Sequence, residues 1–166
     1  MRALIEGTEQ FYRSFGRRAA DGLRGFLVSE EVSPSFLERL RIAKGVDPWV
    51  WGFAVIDRES GLVIGNVGFK APPDDEGMVE IAYGIVPAFE GRGYATEATR
   101  ELISFAFSDP HVRVVRAHTL PTTNASARVL TKNGFARIGE VVDPDDGLVW
   151  RWERTKPGLP MQVKQS

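Results

Sequence analysis

The chain has 166 residues, 43% of them hydrophobic and 26% charged, with a formal net charge of -1; this is the size and composition of one globular domain with its own core. The near-neutral balance argues against a nucleic-acid or membrane-surface partner, so attraction for an anion must come from a local cluster. Cysteine is absent, which removes disulfides, thiolate metal ligation and a cysteine nucleophile, and fits a reducing compartment.

The two histidines, His111 and His118, are too few for a histidine-rich metal site and leave little scope for a Ser-His-Asp triad. Both read as structural or surface residues, and no metal is expected. The opening MRALIEGTEQ has no apolar stretch of signal-peptide length, and no apolar run approaches the ~20 residues of a membrane helix. A cytoplasmic protein without a membrane partner is expected.

Residues 8–19 read as a helix, with Thr8 as N-cap and Phe11 and Phe15 four apart on one face. Residues 33–45 (SPSFLERLRIAKG) read as a second, with a Ser cap, Pro34 in the first turn and a closing Lys-Gly. From residue 49 the pattern turns extended. PWVWGFAVID and LVIGNVGFK, joined by RESG, predict a β-hairpin, and MVEIAYGIV (78–86) a third strand after the loop 71–77. A helix over 94–107 follows the loop PAFEGRG, its apolar residues sharing one broad face. Then come a strand over 112–120, a short helix over 124–134, strands over 135–143 and 148–155, and an irregular tail over 156–166. The whole reads as a single α/β domain: a mixed, mostly antiparallel twisted sheet of six to seven strands with helices on both faces.

Chemistry concentrates where the third strand meets the helix. Glu90-Gly91-Arg92-Gly93-Tyr94-Ala95 leaves backbone N–H groups uncovered at a helix N-terminus, where the macrodipole favours an anion. Arg92 adds a planar fork of donors suited to phosphate oxygens. A Walker A loop is excluded, since no Gly-Lys-Ser/Thr follows. A dinucleotide fingerprint would need a third glycine where Thr96 stands, and would open a βαβ unit instead of ending an antiparallel array. A tight turn without a ligand remains an alternative at this point.

The run IAYGIVPAFEGRGYATEATREL, followed by RAHTLPTTNASARVLTKNGFARIGE, resembles the GNAT acetyltransferase superfamily, more narrowly the branch of the RimJ and RimL ribosomal-protein N-terminal acetyltransferases. The resemblance covers roughly residues 49–155. It implies a GNAT-like fold, acetyl-CoA as co-substrate, and acetyl transfer to a primary amine, either a protein N-terminus or a small molecule, by a monomer or homodimer. By the resemblance, the main chain of Gly91, Arg92, Gly93, Tyr94, Ala95 and Thr96 cradles the CoA pyrophosphate. Glu90 stands where the family has Gln or Arg; a carboxylate there points outward, with Arg92 in the charge role. The main chain of Ile85 and Val86 lies along the pantetheine arm. Asn124 matches a pantetheine-binding position, although Asn is equally a good helix N-cap. Ser126 matches a serine near the thioester and is a candidate catalytic proton donor, or is a solvated first-turn serine. The family's general-acid Tyr corresponds to Leu130 here, a loss that is tolerable because a thiol with a pKa near ~8.5 leaves readily as thiolate.

A protonated amine cannot attack a thioester, so a base is needed. Glu80, flanked by Val79 and Ile81 in a context this branch shares, is the candidate, against a structural edge carboxylate. Alternation groups it with Ala82, Gly84 and Val86, and Tyr83 reads as core or pocket wall. The missing Tyr and Glu90 also support an alternative reading, an acyl-CoA-binding domain that senses and does not turn over. Acidic clusters in the loops at Asp74–Glu76 and Asp143–Asp146 suggest steering of a cationic amine, or ordinary Asp-rich turns.

Overall fold

The computed structural model describes residues 7–27, 47–144 and 146–159. The helix expected over 33–45, Asp145 and most of the expected tail lie outside them.

Helix α1 (Thr8–Phe15) is shorter than the expected 8–19 and is capped by Gly7, not by Thr8. It stops because Gly16 adopts the left-handed conformation and donates its N–H to the Tyr12 carbonyl. Residues 17–20 then run beside a strand, with Ala19 bridged to Val63. Phe11 and Phe15 stack with centroids 5.2 Å apart, and Phe11 is buried while Phe15 is not. Helix α2 (Leu23–Leu27) was not signalled by periodicity.

The segment 48–57, expected as one strand, divides in two. Asp47 caps a single helical turn, α3 (Pro48–Trp51), by accepting from the Trp49 N–H at 2.9 Å, and only β1 (Phe53–Ile56) is extended. Asp followed by Pro is a helix-start signal, and it overrides the β-prone aromatics after it. Trp49 turns inward against Phe69 and Phe105, at 4.5 and 5.4 Å between centroids.

The remaining elements fall near their expected bounds: β2 (Val63–Phe69), β3 (Met78–Ile85), α4 (Tyr94–Ser108), β4 (Val114–Thr119), α5 (Ala125–Lys132), β5 (Ala136–Asp143) and β6 (Gly147–Thr155), with a 3-10 turn (Pro87–Phe89) inside the expected loop. They form one six-stranded sheet in the order β1-β2-β3-β4-β6-β5. Every pairing is antiparallel except β3 with β4, the one pair joined by a crossover helix, α4.

The two sides of the sheet differ. Phe69, Val79, Ile81, Val115 and Ala117 are buried on the side that carries α4, whose Phe105 packs on Phe69. Burying each large aliphatic side chain of this kind contributes roughly 1.5–3 kcal/mol. Lys70, Glu80, Arg116, His118, Arg151 and Glu153 lie on the opposite side, linked by strand register. That side is partly covered by α2, whose Phe26 ring occupies the space a side chain at Gly84 would need.

Candidate active site

The β3–β4 pairing covers Met78↔Val114, Val79↔Val115 and Glu80↔Arg116 and then ends, although both strands continue. Beyond Glu80 the two strands run on unpaired, and the space between them is the candidate cleft. The Glu80 carbonyl accepts from Lys70 N–H and the Val86 N–H donates to Ile64, so even-numbered residues of β3 turn their main chain towards β2. Odd-numbered residues, Tyr83 and Ile85, therefore turn theirs towards the cleft. Of the two residues assigned to the pantetheine arm, Ile85 has this orientation. Val86 has its N–H bonded to Ile64 and its carbonyl to Phe89 N–H.

The glycine turn stands at the open end of the cleft. Gly91 and Gly93 have φ of 73° and 89°, a region that strains any residue with a Cβ. Gly93 is the N-cap of α4, no side chain caps the helix, and its first intrahelical bond runs from Glu97 N–H to the Gly93 carbonyl. The amides of Tyr94, Ala95 and Thr96 thus have no intrahelical acceptor. Among the described residues, no atom beyond the chain neighbours lies within 4 Å of a Cβ built on Gly91 or Gly93, so here glycine serves the backbone turn and leaves open space in front of it. Glu90, Gly91, Arg92 and Gly93 are exposed, and the Arg92 guanidinium sits 5.1 Å above the Phe89 ring, beside the amides. The arrangement suits a pyrophosphate: uncovered N–H groups, the positive end of a helix dipole and one guanidinium.

The start of α4 is fixed by a side chain that composition does not reveal. The Tyr94 hydroxyl donates to Asp57 Oδ1 at 2.6 Å, and Ser60 donates to Asp57 Oδ2 through both its hydroxyl and its N–H. The Ser60 hydroxyl, then the Tyr94 hydroxyl, bring the Asp57 carboxyl from 3.8 down to about 2. A depressed carboxyl stabilises the fold above its unfolded pKa and loses that contribution as pH falls through the folded one. The melting-temperature gap between the native chain and Asp57→Asn should therefore be constant above about pH 5 and close between 4 and 2. Thermal melts across that range check it; a gap that stays constant would contradict the linkage.

Helix α5 forms the other wall. Asn124 caps it, accepting from Ala127 N–H at 2.9 Å through Oδ1, and the cap leaves the amide NH2 group for a further acceptor. Ser126 is half-buried in the first turn, and its carbonyl accepts from the Tyr83 hydroxyl at 3.1 Å. Burial holds the Tyr83 phenol well above its usual range, against the weaker opposing effect of that bond. Tyr83 thus ties β3 to α5. Leu130 is fully buried and supplies no proton.

Glu80 occupies the fork where β3 and β4 part. Its Oε1 is 2.6 Å from Lys70 Nζ and 2.9 Å from His118 Nδ1. Burial opposes its ionisation, but the hydrogen bonds from His118 and Lys70 and the charge of Lys70 outweigh it, so the carboxyl lies below its usual range. Lys70 is lowered by burial and raised more by Glu80, with smaller contributions from Asp143 and Asp146. The β5–β6 turn thus acts on this cluster. Asp74, by contrast, spends its carboxylate on the N–H groups of Glu76 and Met78, at the end of β3 away from the cleft. His111 is exposed against Asp109, but His118, also read as structural or surface, faces Glu80. Alternation in VVRAHT marks Arg116 and His118 as same-face neighbours; what the sequence did not show was that β4 lies parallel to β3 with Glu80 alongside. Among the described residues, no group of three or more His, Cys, Asp or Glu could hold a metal ion, and no helix is long and apolar enough to cross a membrane.

The family model described as "Acetyltransferase (GNAT) domain" matches residues 14–136. The chain belongs to the GNAT acetyltransferase family. Among curated proteins it is 30% identical over 92 residues to the uncharacterized N-acetyltransferase YjdG of Bacillus subtilis (strain 168), covering 55% of this chain and 52% of that one. It is also 30% identical over 91 residues to the uncharacterized N-acetyltransferase p20 of Bacillus licheniformis, covering 55% and 51%. The chain spans about half the length of these curated relatives. Among solved structures, aminoglycoside acetyltransferase AAC(6')-Ib in complex with coenzyme A aligns with a TM-score of 0.52 at 25% identity, over 58% of this chain and 61% of that one. The ribosomal-protein-S5-alanine acetyltransferase of Vibrio fischeri aligns with a TM-score of 0.55 at 18% identity, over 62% and 60%; at that identity the likeness is one of fold.

Proposed function

We propose that the chain is an N-acetyltransferase that transfers the acetyl group of acetyl-CoA to a primary amine by direct attack on the thioester. The observation that carries this reading is the cleft itself. Its outer end has uncapped amides and Arg92 for a pyrophosphate, its β3 wall offers the main chain of Ile85, and its inner end has a half-buried carboxylate–imidazole pair. Bound acetyl-CoA supplies a thioester carbonyl. The protein positions it, with Asn124 and Ser126 on the α5 wall, and takes a proton from the incoming ammonium at the Glu80–His118 cluster. The RimJ/RimL-like motif favours a peptide N-terminus as acceptor, while the complex of AAC(6')-Ib with coenzyme A and kanamycin makes a small polyamine an equal class to test.

Leu130, where the resemblance places a general-acid Tyr, favours a second reading in which the domain binds acyl-CoA without turnover. Acetyl-CoA at about 100 times its Kd stabilises either form by ~2.7 kcal/mol. Free CoA released only when an amine is present establishes the transferase; stabilisation without release for any amine establishes the sensor.

The β5–β6 turn offers a test of acceptor charge. Asp143→Asn with Asp146→Asn should raise KM for a cationic amine a few-fold, with kcat little changed. The effect should fade above physiological salt, where exposed charges are screened within ~8 Å. A change independent of salt would leave the turn without a steering role.

A further inference from the structure

We propose that His118 Nε2, and not the Glu80 carboxylate, accepts the proton from the attacking amine, with Glu80 as the positioning residue that fixes the ring. The inference rests on the acetyltransferase reading and names the atom that does the work.

The hydrogen bonding determines which nitrogen is free. Glu80 Oε1 receives Lys70 at 2.6 Å and faces His118 Nδ1 at 2.9 Å. A carboxylate so placed is an acceptor only, so Nδ1 must carry the hydrogen. In the neutral ring Nε2 then bears the lone pair, and it points away from Glu80. Nε2 is buried and has no hydrogen-bond partner among the described residues, while the His118 side chain is 12% exposed. A buried ring nitrogen left open in this way is ready to take a proton from something that enters.

The position of the ring agrees. The last β3–β4 pair is Glu80↔Arg116, and His118 lies two residues further along β4 on the same face, at the inner end of the cleft. Glu80 is already engaged by both neighbours. Its Oε1 is shared by two donors, and its held-down carboxyl is a weak base. The charged groups facing His118 are Glu80 of β3, Lys70 after β2, Arg116 on its own strand, and Arg151 and Glu153 of β6. Arg151 is its direct register partner, and Glu153 is held by Arg116 at 2.7 Å. Asp143 and Asp146 act through Lys70.

The step balances without another reactant. The ammonium gives one proton to Nε2, and its nitrogen lone pair forms the C–N bond to the thioester carbon. The C–S bond breaks and sulfur leaves as thiolate. The second nitrogen proton neutralises the thiolate, and the imidazolium returns its proton to solvent as products depart.

The test combines kinetics with the ring's own signals. His118→Gln should lower kcat by roughly 100- to 1,000-fold with acetyl-CoA affinity within two-fold of native. Imidazole added to His118→Ala should restore part of the rate, which a purely structural role would not permit. Chain labelled with 15N-histidine, with His111→Gln to assign the two rings, should show neutral His118 as the Nδ1–H tautomer, and Glu80→Gln should weaken that preference. Native turnover in His118→Gln, or an Nε2–H tautomer in the native chain, would overturn the proposal alone. A native chain that releases no CoA with any amine would overturn the acetyltransferase reading, and this proposal with it.

Discussion

Gly93→Val is expected to abolish acetyl-CoA binding while leaving a cooperatively folding protein. The residue caps α4 at φ 89°, and a β-branched side chain in that region is strained by roughly 1–3 kcal/mol. Among the described residues, no atom beyond its chain neighbours lies within 4 Å of the added Cβ, so no clash with them is expected. The cost is met either by rotating the turn, which misaims the amides of residues 94–96, or by leaving a branched side chain in the space before them. Both outcomes remove the anion site. Affinity should fall at least 100-fold by calorimetry, about 2.7 kcal/mol, with the ligand-induced rise in melting temperature lost. Arg92→Ala should weaken binding far less, because an exposed guanidinium contributes on the order of 1 kcal/mol or below. Native affinity in Gly93→Val would move the pyrophosphate away from this turn.

Glu80→Gln should lower turnover at neutral pH by about 10- to 100-fold while acetyl-CoA affinity holds. The amide can still accept from His118 Nδ1 but no longer carries the charge that pairs with Lys70, so the ring is held less firmly and part of the rate survives. The deficit should shrink as pH rises, since more of the amine is then neutral before it binds. Rate against pH for both proteins checks the slope. Full activity at every pH would remove Glu80 from the reaction, and loss of acetyl-CoA affinity would make it a structural residue.

How much of this was legible in the sequence follows the range of the interactions. The glycine turn was readable because its signal is local: a strand end, two glycines and a helix start within a few residues. The alternation around Glu80 was readable for the same reason. The turn at Pro48–Trp51 was misread because aromatic composition was weighed above the Asp-Pro start signal. Helix α2 is too short for its period to register. What escaped entirely were contacts between distant strands. His118 and Glu80 are 38 residues apart and meet because α4 crosses over to lay β4 parallel to β3, while Tyr94 at the start of α4 and Asp57 after β1 are 37 apart. The same crossover creates the cleft, which no local pattern encodes. Register also separated the two acidic loops: the β5–β6 turn acts on Lys70, while Asp74 serves its own turn.

The most direct measurement is thiol release from acetyl-CoA by the purified chain across a panel of peptide N-termini, polyamines and aminoglycosides, with mass analysis of the product. The expected result is CoA release that requires an amine, a single acetyl group on its nitrogen, and no release from Gly93→Val. Binding of acetyl-CoA with no amine-dependent release across the panel would contradict the transferase reading.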